Sequence, residues 1–198
     1  MKVVVADYGA GNLRSVCAAF ERAGAEPLVT TDPAVVREAP LAVVAGVGHT
    51  ESAARGLEER GLADALRDRV AAGRPVLGIC VGLQLLFGES EEGGTGLGLF
   101  VGPVRLLQAR RVPHMGWNEL SVSGGELLEG LDGADVYFAH SYAVEPAEPV
   151  TVATVDHDGP VVAAVERGAL AGVQFHPERS DRPGARLLKN AVQWSRSA

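Results

Sequence analysis

The chain has 198 residues, 46% of them hydrophobic, enough to bury one sizeable core and cramped for two. Its formal net charge of −7 opposes a broad nucleic-acid or anionic-membrane surface. No stretch approaches the roughly 20 apolar residues that a membrane helix requires, and two cysteines with no secretion signal or zinc-like cluster point to a reducing cytoplasm.

KVVVA (2–6) is a short run of β-branched residues that reads as a strand and ends at Asp7. The glycines of DYGAGN (7–12) break it. Leu13, Val16, Cys17 and Phe20 then recur at helical spacing, and Gly24 offers a stop. The cycle repeats with EPLVT as a strand, DPAVVREA as a short helix and LAVVAG as a third strand. Segment 51–72 carries Leu57, Leu62, Leu66 and Val70 on one amphipathic helix, or on two broken at Gly61. RPVLGI predicts another strand and GLQLLF another helix, so Cys80 falls on a strand-to-helix turn at the carboxyl edge of the sheet.

The rhythm changes in the second half. VRLLQ, ADVYFAHSY, VTVATVDH, PVVAAVERG and ALAGVQF are closely spaced strand candidates, and ARLLKNAVQW makes a closing helix. Between them GESEEGGTGLG (88–98) reads as a flexible acidic, Gly-rich loop, and VPHMGWN (112–118) as a compact turn. The expected architecture is α/β: one domain over 1–198, a central, mostly parallel sheet covered by helices on both faces, and a β-rich C-terminal extension.

Of the two cysteines, Cys17 lies within an apolar helical stripe and reads as core. Cys80, inside GICVG (78–82), reads either as a small buried hydrophobe or as a nucleophile. Flanking glycines uncrowd its turn, and the start of the next helix offers peptide N–H donors to an oxyanion and favours a thiolate. A base must come from elsewhere among His49, His114, His140, His157 and His176. GVQFHPERS (172–180) sets His176 just after a strongly apolar strand, with Glu178 two residues on to orient the imidazole; the alternative is a surface turn with an incidental charge. His140 reads as a residue that orients pocket backbone, His114 as local packing or a partner contact, and His157 as an exposed turn residue. AGVG (45–48) ends a strand, so its peptides either line the same crevice or form a plain tight turn. GAGN lacks the GxGxxG fingerprint, and Walker A and His-x-His patterns are absent.

GICVGLQLLF, ESEEG, VPHMGWN, YFAHSY and GVQFHPERS occur in the order seen in class I (triad) glutamine amidotransferases, and the resemblance spans essentially the whole chain. DYGAGN and PHMGWN bring it nearest the glutaminase subunits of the imidazole glycerol phosphate synthases. The resemblance implies that Cys80 is the nucleophile, His176 the general acid and base, and Glu178 its orienting carboxylate. It implies an oxyanion hole at Gly48 and the Val81 backbone. Glutamine would bind among Gly82, Gln84, Glu92 and the backbone of Ser141 and Tyr142. Asn12, Trp117 and Arg179 would approach a partner, a (β/α)8-barrel cyclase similar to HisF, with no metal or organic cofactor. Ammonia released from glutamine would pass to that partner for synthesis of imidazole glycerol phosphate and AICAR ribotide. The other readings are a glutaminase subunit of another class I enzyme, disfavoured by PHMGWN, and a non-catalytic regulatory partner on the same fold. Two departures stand out: AGVG replaces the usual PGVG, which frees backbone at the oxyanion strand, and GHT replaces GAF, which sets His49 beside it.

Overall fold

The computed structural model describes residues 1–197. β1 (Lys2–Ala6) buries Val3, Val4, Val5 and Ala6. Gly9 and Gly11, at φ 91° and 110°, turn the chain into α1 (Leu13–Arg22), which presents Val16, Ala19 and Phe20 to the core. β2 (Glu26–Thr30) follows. α2 (Pro33–Glu38) starts cleanly because the Asp32 carboxylate accepts from the Ala34 N–H at 2.8 Å and Pro33 needs no N–H partner. β3 (Leu41–Gly46) is buried throughout. Gly61, left-handed at φ 65°, separates α3 (Thr50–Glu59) from α4 (Leu62–Ala71), so segment 51–72 is two helices. β4 (Val76–Cys80) runs directly into α5 (Val81–Leu85).

After β5 (Glu89–Ser90) and β6 (Pro103–Leu106) come β7 (His114–Glu119), β8 (Ser121–Val122), β9 (Asp135–His140) and β10 (Tyr142–Val144). β11 (Thr151–Asp156), β12 (Pro160–Arg167), β13 (Leu170–Val173), a 3-10 turn (Pro177–Arg179) and α6 (Asp181–Ser197) complete the chain. Eight strands share one sheet in the order β2-β1-β3-β4-β13-β12-β11-β8. The first five are parallel, and β12, β11 and β8 extend it antiparallel. Part of the β-rich second half, β13, β12, β11 and β8, thus extends the sheet begun in the first half. Two small sheets, β10-β6-β5 and β7-β9, stand beside it. Right-handed crossovers with this strand order put α1 on one face and α2, α3 and α4 on the other. α6 packs against α1 and closes the first face. No helix among the described residues is long and apolar enough to cross a membrane.

Three expectations need correction. β2 is not covered on both faces: it is the sheet edge, and Leu28 and Val29 are exposed. VPHMGWN is not a compact turn, because His114–Glu119 pairs residue for residue with β9, from His114↔His140 to Glu119↔Asp135. Alternating burial along that strand was masked in the sequence by Met115 and Trp117, large apolar side chains that face outward. The acidic loop 88–98 is pinned: Gly96 and Leu97 donate to the carbonyls of Gly88 and Leu85, and Glu91 accepts from Arg105 and the Leu106 N–H.

Arg69 sits wholly inside the α2–α4 face. Its guanidinium donates to the carbonyls of Val36, Arg37, Ala39 and Pro75 at 2.7–2.9 Å, so it closes the end of α2 onto the start of β4. Burial drops its pKa to about 10, still charged at neutral pH. Replacing it with Met keeps the bulk and strands those carbonyls. Urea unfolding of Arg69→Met is expected to show a loss of about 3 kcal/mol or more; a loss under about 0.5 kcal/mol would mean that water satisfies the four acceptors equally well.

Candidate active site

Cys80 takes φ 54° and ψ −110°, a conformation that residues with a Cβ avoid, at a cost of about 1–3 kcal/mol. The strain follows from having no residue between β4 and α5. Two glycines make the geometry fit. A Cβ on Gly78 would stand 2.7 Å from the Gly82 carbonyl oxygen, and one on Gly82 would collide with the Val44 carbonyl in β3. Gly82 is therefore explained by close packing of α5 on the sheet. α5 is only five residues long, so it offers the sulfur the peptide N–H groups of one turn and little macrodipole.

Parallel pairing of β13 with β4, through Val173↔Ile79, brings the exits of both strands side by side. His176 follows β13 and is held there by three bonds. Its N–H donates to the Tyr137 carbonyl at 2.9 Å, the Ser180 hydroxyl donates to the His176 carbonyl at 2.6 Å, and that hydroxyl accepts from the Tyr137 N–H at 2.9 Å. The imidazole Nδ1 lies 2.9 Å from Glu178 Oε1, which leaves Nε2 as the ring nitrogen free to serve Cys80. Both side chains of the His–Glu pair are nearly buried. Burial works against the imidazolium, but hydrogen bonds and charge at Cys80 and Glu178 outweigh it and push the His176 pKa up to about 10. Oε2 of Glu178 has no hydrogen-bond partner among the described residues.

A cavity of about 190 Å³ opens at the sulfur. Gly48, Val81, Gln84, Glu92, Ser141 and Tyr142 line it with Cys80, beside Val47, Pro113, Met115, Ala139 and His140. Gly82 is not among the lining residues. Glu92 accepts from the Thr50 N–H at 2.7 Å and contacts His49 Nδ1 at 3.1 Å, which fastens the start of α3 to the cavity rim. A wider groove of about 990 Å³ lies across the 3-10 turn, between Trp117, Asp135, Glu178 and Arg182, and does not reach the sulfur. Among the described residues no group of three or more His, Cys, Asp or Glu side chains is arranged to hold a metal ion.

His140 in the cavity wall and His114 next to it are both buried. His140 Nδ1 donates to the Tyr142 carbonyl at 2.9 Å, which leaves Nε2 to accept from His114 Nδ1 at 3.0 Å. His114 Nε2 in turn accepts from Asn118 at 3.2 Å. Each ring must be neutral to fill these roles. Desolvation agrees, lowering His114 to about 4 and His140 to about 3. His157 is not a free turn residue: it is half-buried and stacks on His114 at 4.1 Å between ring centroids.

Trp117 and Arg179 meet around one ring, whereas Asn12 is placed only as the residue that heads α1. Trp117 meets the Tyr137 ring edge-on at 5.9 Å, the Arg179 guanidinium lies 4.1 Å above that ring, and α1, headed by Asn12, packs on the 3-10 turn. Ala45 is not loosened by the absence of proline. It lies inside β3 opposite Ile79, and its carbonyl accepts from the buried Tyr8 hydroxyl at 2.9 Å. Sequence reasoning missed Tyr8, Gln174 and Ser180. The signal for Gln174 was one amide inside the apolar run GVQF.

Residues 4–194 match the family model for glutamine amidotransferase class-I. The imidazole glycerol phosphate synthase subunit HisH of Methanothermobacter thermautotrophicus is 44% identical over 199 residues, covering 98% of this chain and 100% of the relative. The protein of that name from Mycolicibacterium paratuberculosis is 48% identical over 201 residues, covering 96% and 97%. Among solved structures, one described as a glutamine amidotransferase superposes with a TM-score of 0.80 at 22% identity, covering 97% of this chain and 98% of the other. PurLQS from Thermotoga maritima gives 0.76 at 20%, covering 99% and 97%. At those identities the structural likeness speaks for the fold.

The histidines make stability depend on pH in two opposite ways. His114 and His140 are lowered from 6.5 to about 4 and about 3, so below pH 6.5 the unfolded chain binds protons that the folded one refuses. His176 is raised to about 10, so its contribution is complete below pH 6.5 and is lost as pH rises through about 10. Urea midpoints measured from pH 4 to pH 10 are expected to peak at about pH 6–7 and fall on both sides. A flat profile across that range would contradict both assignments.

Proposed function

Because the chain belongs to the class-I glutamine amidotransferase family, we propose that it is the glutaminase subunit of an imidazole glycerol phosphate synthase. The observation that carries this reading is the His176–Glu178 pair held beside Cys80, which itself lines a small cavity, in a chain 44% and 48% identical to proteins of that name. The Cys80 thiolate attacks the side-chain carboxamide of glutamine, forming a C–S bond. Peptide N–H groups at Val81 and Gly48 receive the oxyanion. Protonated His176 gives its proton to the departing nitrogen, so ammonia leaves and a γ-glutamyl thioester remains. The neutral imidazole then takes a proton from water as it attacks the thioester, and glutamate and the thiolate are released. Glu178 keeps the imidazole in one tautomer throughout.

Gln84, Glu92 and the Ser141–Tyr142 backbone bind the amino-acid end of glutamine. Free ammonia becomes mostly ammonium at neutral pH and loses its nucleophilicity, so it is handed to a partner rather than to solvent. That partner is a (β/α)8-barrel cyclase of the HisF kind, docked on the surface of Asn12, Trp117 and Arg179. The half-exposed Trp117 and exposed Met115 beside the cavity mouth suit such a contact.

In the assembled complex, Cys80→Ala is expected to abolish glutamine-dependent synthesis while ammonium salts still support it at close to the wild-type rate. Equal loss of both activities with the complex intact would reject this division of labour. His176→Ala should slow thioester formation by about 10³–10⁴ and Glu178→Gln by about 10², since the latter keeps the imidazole and weakens only its orientation. Rapid-quench measurement of the thioester decides this; an unchanged rate in Glu178→Gln would leave Glu178 a structural residue.

A further inference from the structure

The direction of a hydrogen-bond chain is settled where it ends on a group that can only accept. The Tyr142 main-chain carbonyl is such a group. It receives the Nδ1–H of His140 at 2.9 Å and the Gln84 Nε2–H at 2.8 Å. Gln84 therefore turns its NH2 toward Tyr142, and its second N–H reaches Gln174 Oε1 at 3.2 Å. With that oxygen engaged, Gln174 faces the sulfur with its own NH2, and Nε2 lies 3.8 Å from Cys80 Sγ. Flipping either amide would set oxygen against oxygen or NH2 against NH2. Gln174 is 0% exposed and flanked by fully buried Val173 and Phe175, so an apolar side chain would serve packing alone without the cost of burying an amide.

We infer that Gln174 acts directly on the nucleophile: its Nε2–H donates to the Cys80 sulfur and favours the thiolate, while its Oε1 holds Gln84 against the Tyr142 wall. This use of Gln174 rests on the glutaminase reading for its purpose, though the geometry is independent of it. The donor matters when the sulfur carries charge. That is the case before the electron pair forms the C–S bond and again when the thioester collapses and the pair returns to sulfur. In between, the neutral thioester sulfur is a poor acceptor, and the amide is held by Gln84 alone.

The test is the pH dependence of Cys80 alkylation by iodoacetamide in the full-length chain, read peptide by peptide by mass spectrometry, with Cys17 as an internal control. Gln174→Met, similar in length and without an N–H donor, is expected to move the Cys80 midpoint up by about one unit, a tenfold slower alkylation below it. Gln174→Glu should move it further, because a carboxylate then faces the sulfur. The Cys17 profile should not change. Gln84→Met, which frees the Gln174 amide to turn, should shift the midpoint in the same direction and covers the case of a Gln174 variant that does not fold. An unmoved midpoint in a folded variant of either residue overturns the inference. Wild-type protein that shows this profile but hydrolyses no glutamine with its cyclase would overturn the glutaminase reading and leave Gln174 as assigned.

Discussion

The close approach of one short helix to the sheet shapes the surroundings of Cys80. α5 lies so near the sheet that the Gly82 Cα faces the Val44 carbonyl and the Gly78 Cα faces the Gly82 carbonyl. No connecting residue fits between β4 and α5, and Cys80 absorbs the whole change of direction in one positive φ. Strain of about 1–3 kcal/mol is small beside what the flanking strands contribute, since a single fully buried Val or Leu side chain is worth about as much. β3 and β4 are buried along their full lengths and bonded in register up to Gly46↔Cys80, so the turn cannot relax without breaking that pairing.

The same packing divides the site into a rigid half and a freer one. Ala45 is fixed from two sides, by β4 and by the Tyr8 hydroxyl, whose ring leaves no room for a Cβ at Gly46. Beyond Gly46 the chain leaves the sheet: Val47, Gly48 and His49 are exposed, and Gly48 is left-handed with no atom near the position of a Cβ. Any rotation of a peptide toward the sulfur is confined to that short span. It is tethered at its far end by Glu92, which holds the Thr50 N–H.

Histidine serves in two charge states within one small region. His176 is raised by the Cys80 sulfur and the Glu178 carboxylate and is kept protonated; His140 and His114 face a carbonyl, each other and an amide, and are kept neutral. The difference lies in the partners, since all three side chains are similarly buried. The neutral pair fixes the Tyr142 carbonyl, and through Gln84 and Gln174 that one carbonyl orients every amide up to the sulfur.

Local sequence was enough for the buried strands of the first half of the fold. KVVVA, LAVVAG and RPVLGI are buried strands whose apolar runs admit little else, and Gly24, Asp32 and Gly61 mark helix ends by conformations and caps that act within a few residues. The residue types of a thiol site were legible too, because GICVG and HPE carry their constraints in adjacent residues. Tertiary structure decided the rest. β7 paired with β9 against its own poor alternation, because pairing with a distant strand outweighs propensity. The edge position of β2 and the pinned acidic loop depend on neighbours far along the chain. Residues 80 and 176 meet only because β13 joins β4 in parallel, and Tyr8, Gln174 and Ser180 acquire their roles through bonds spanning 37, 94 and 43 residues. Periodicity reports which face a residue presents; which partner it faces is settled by the order of strands in the sheet.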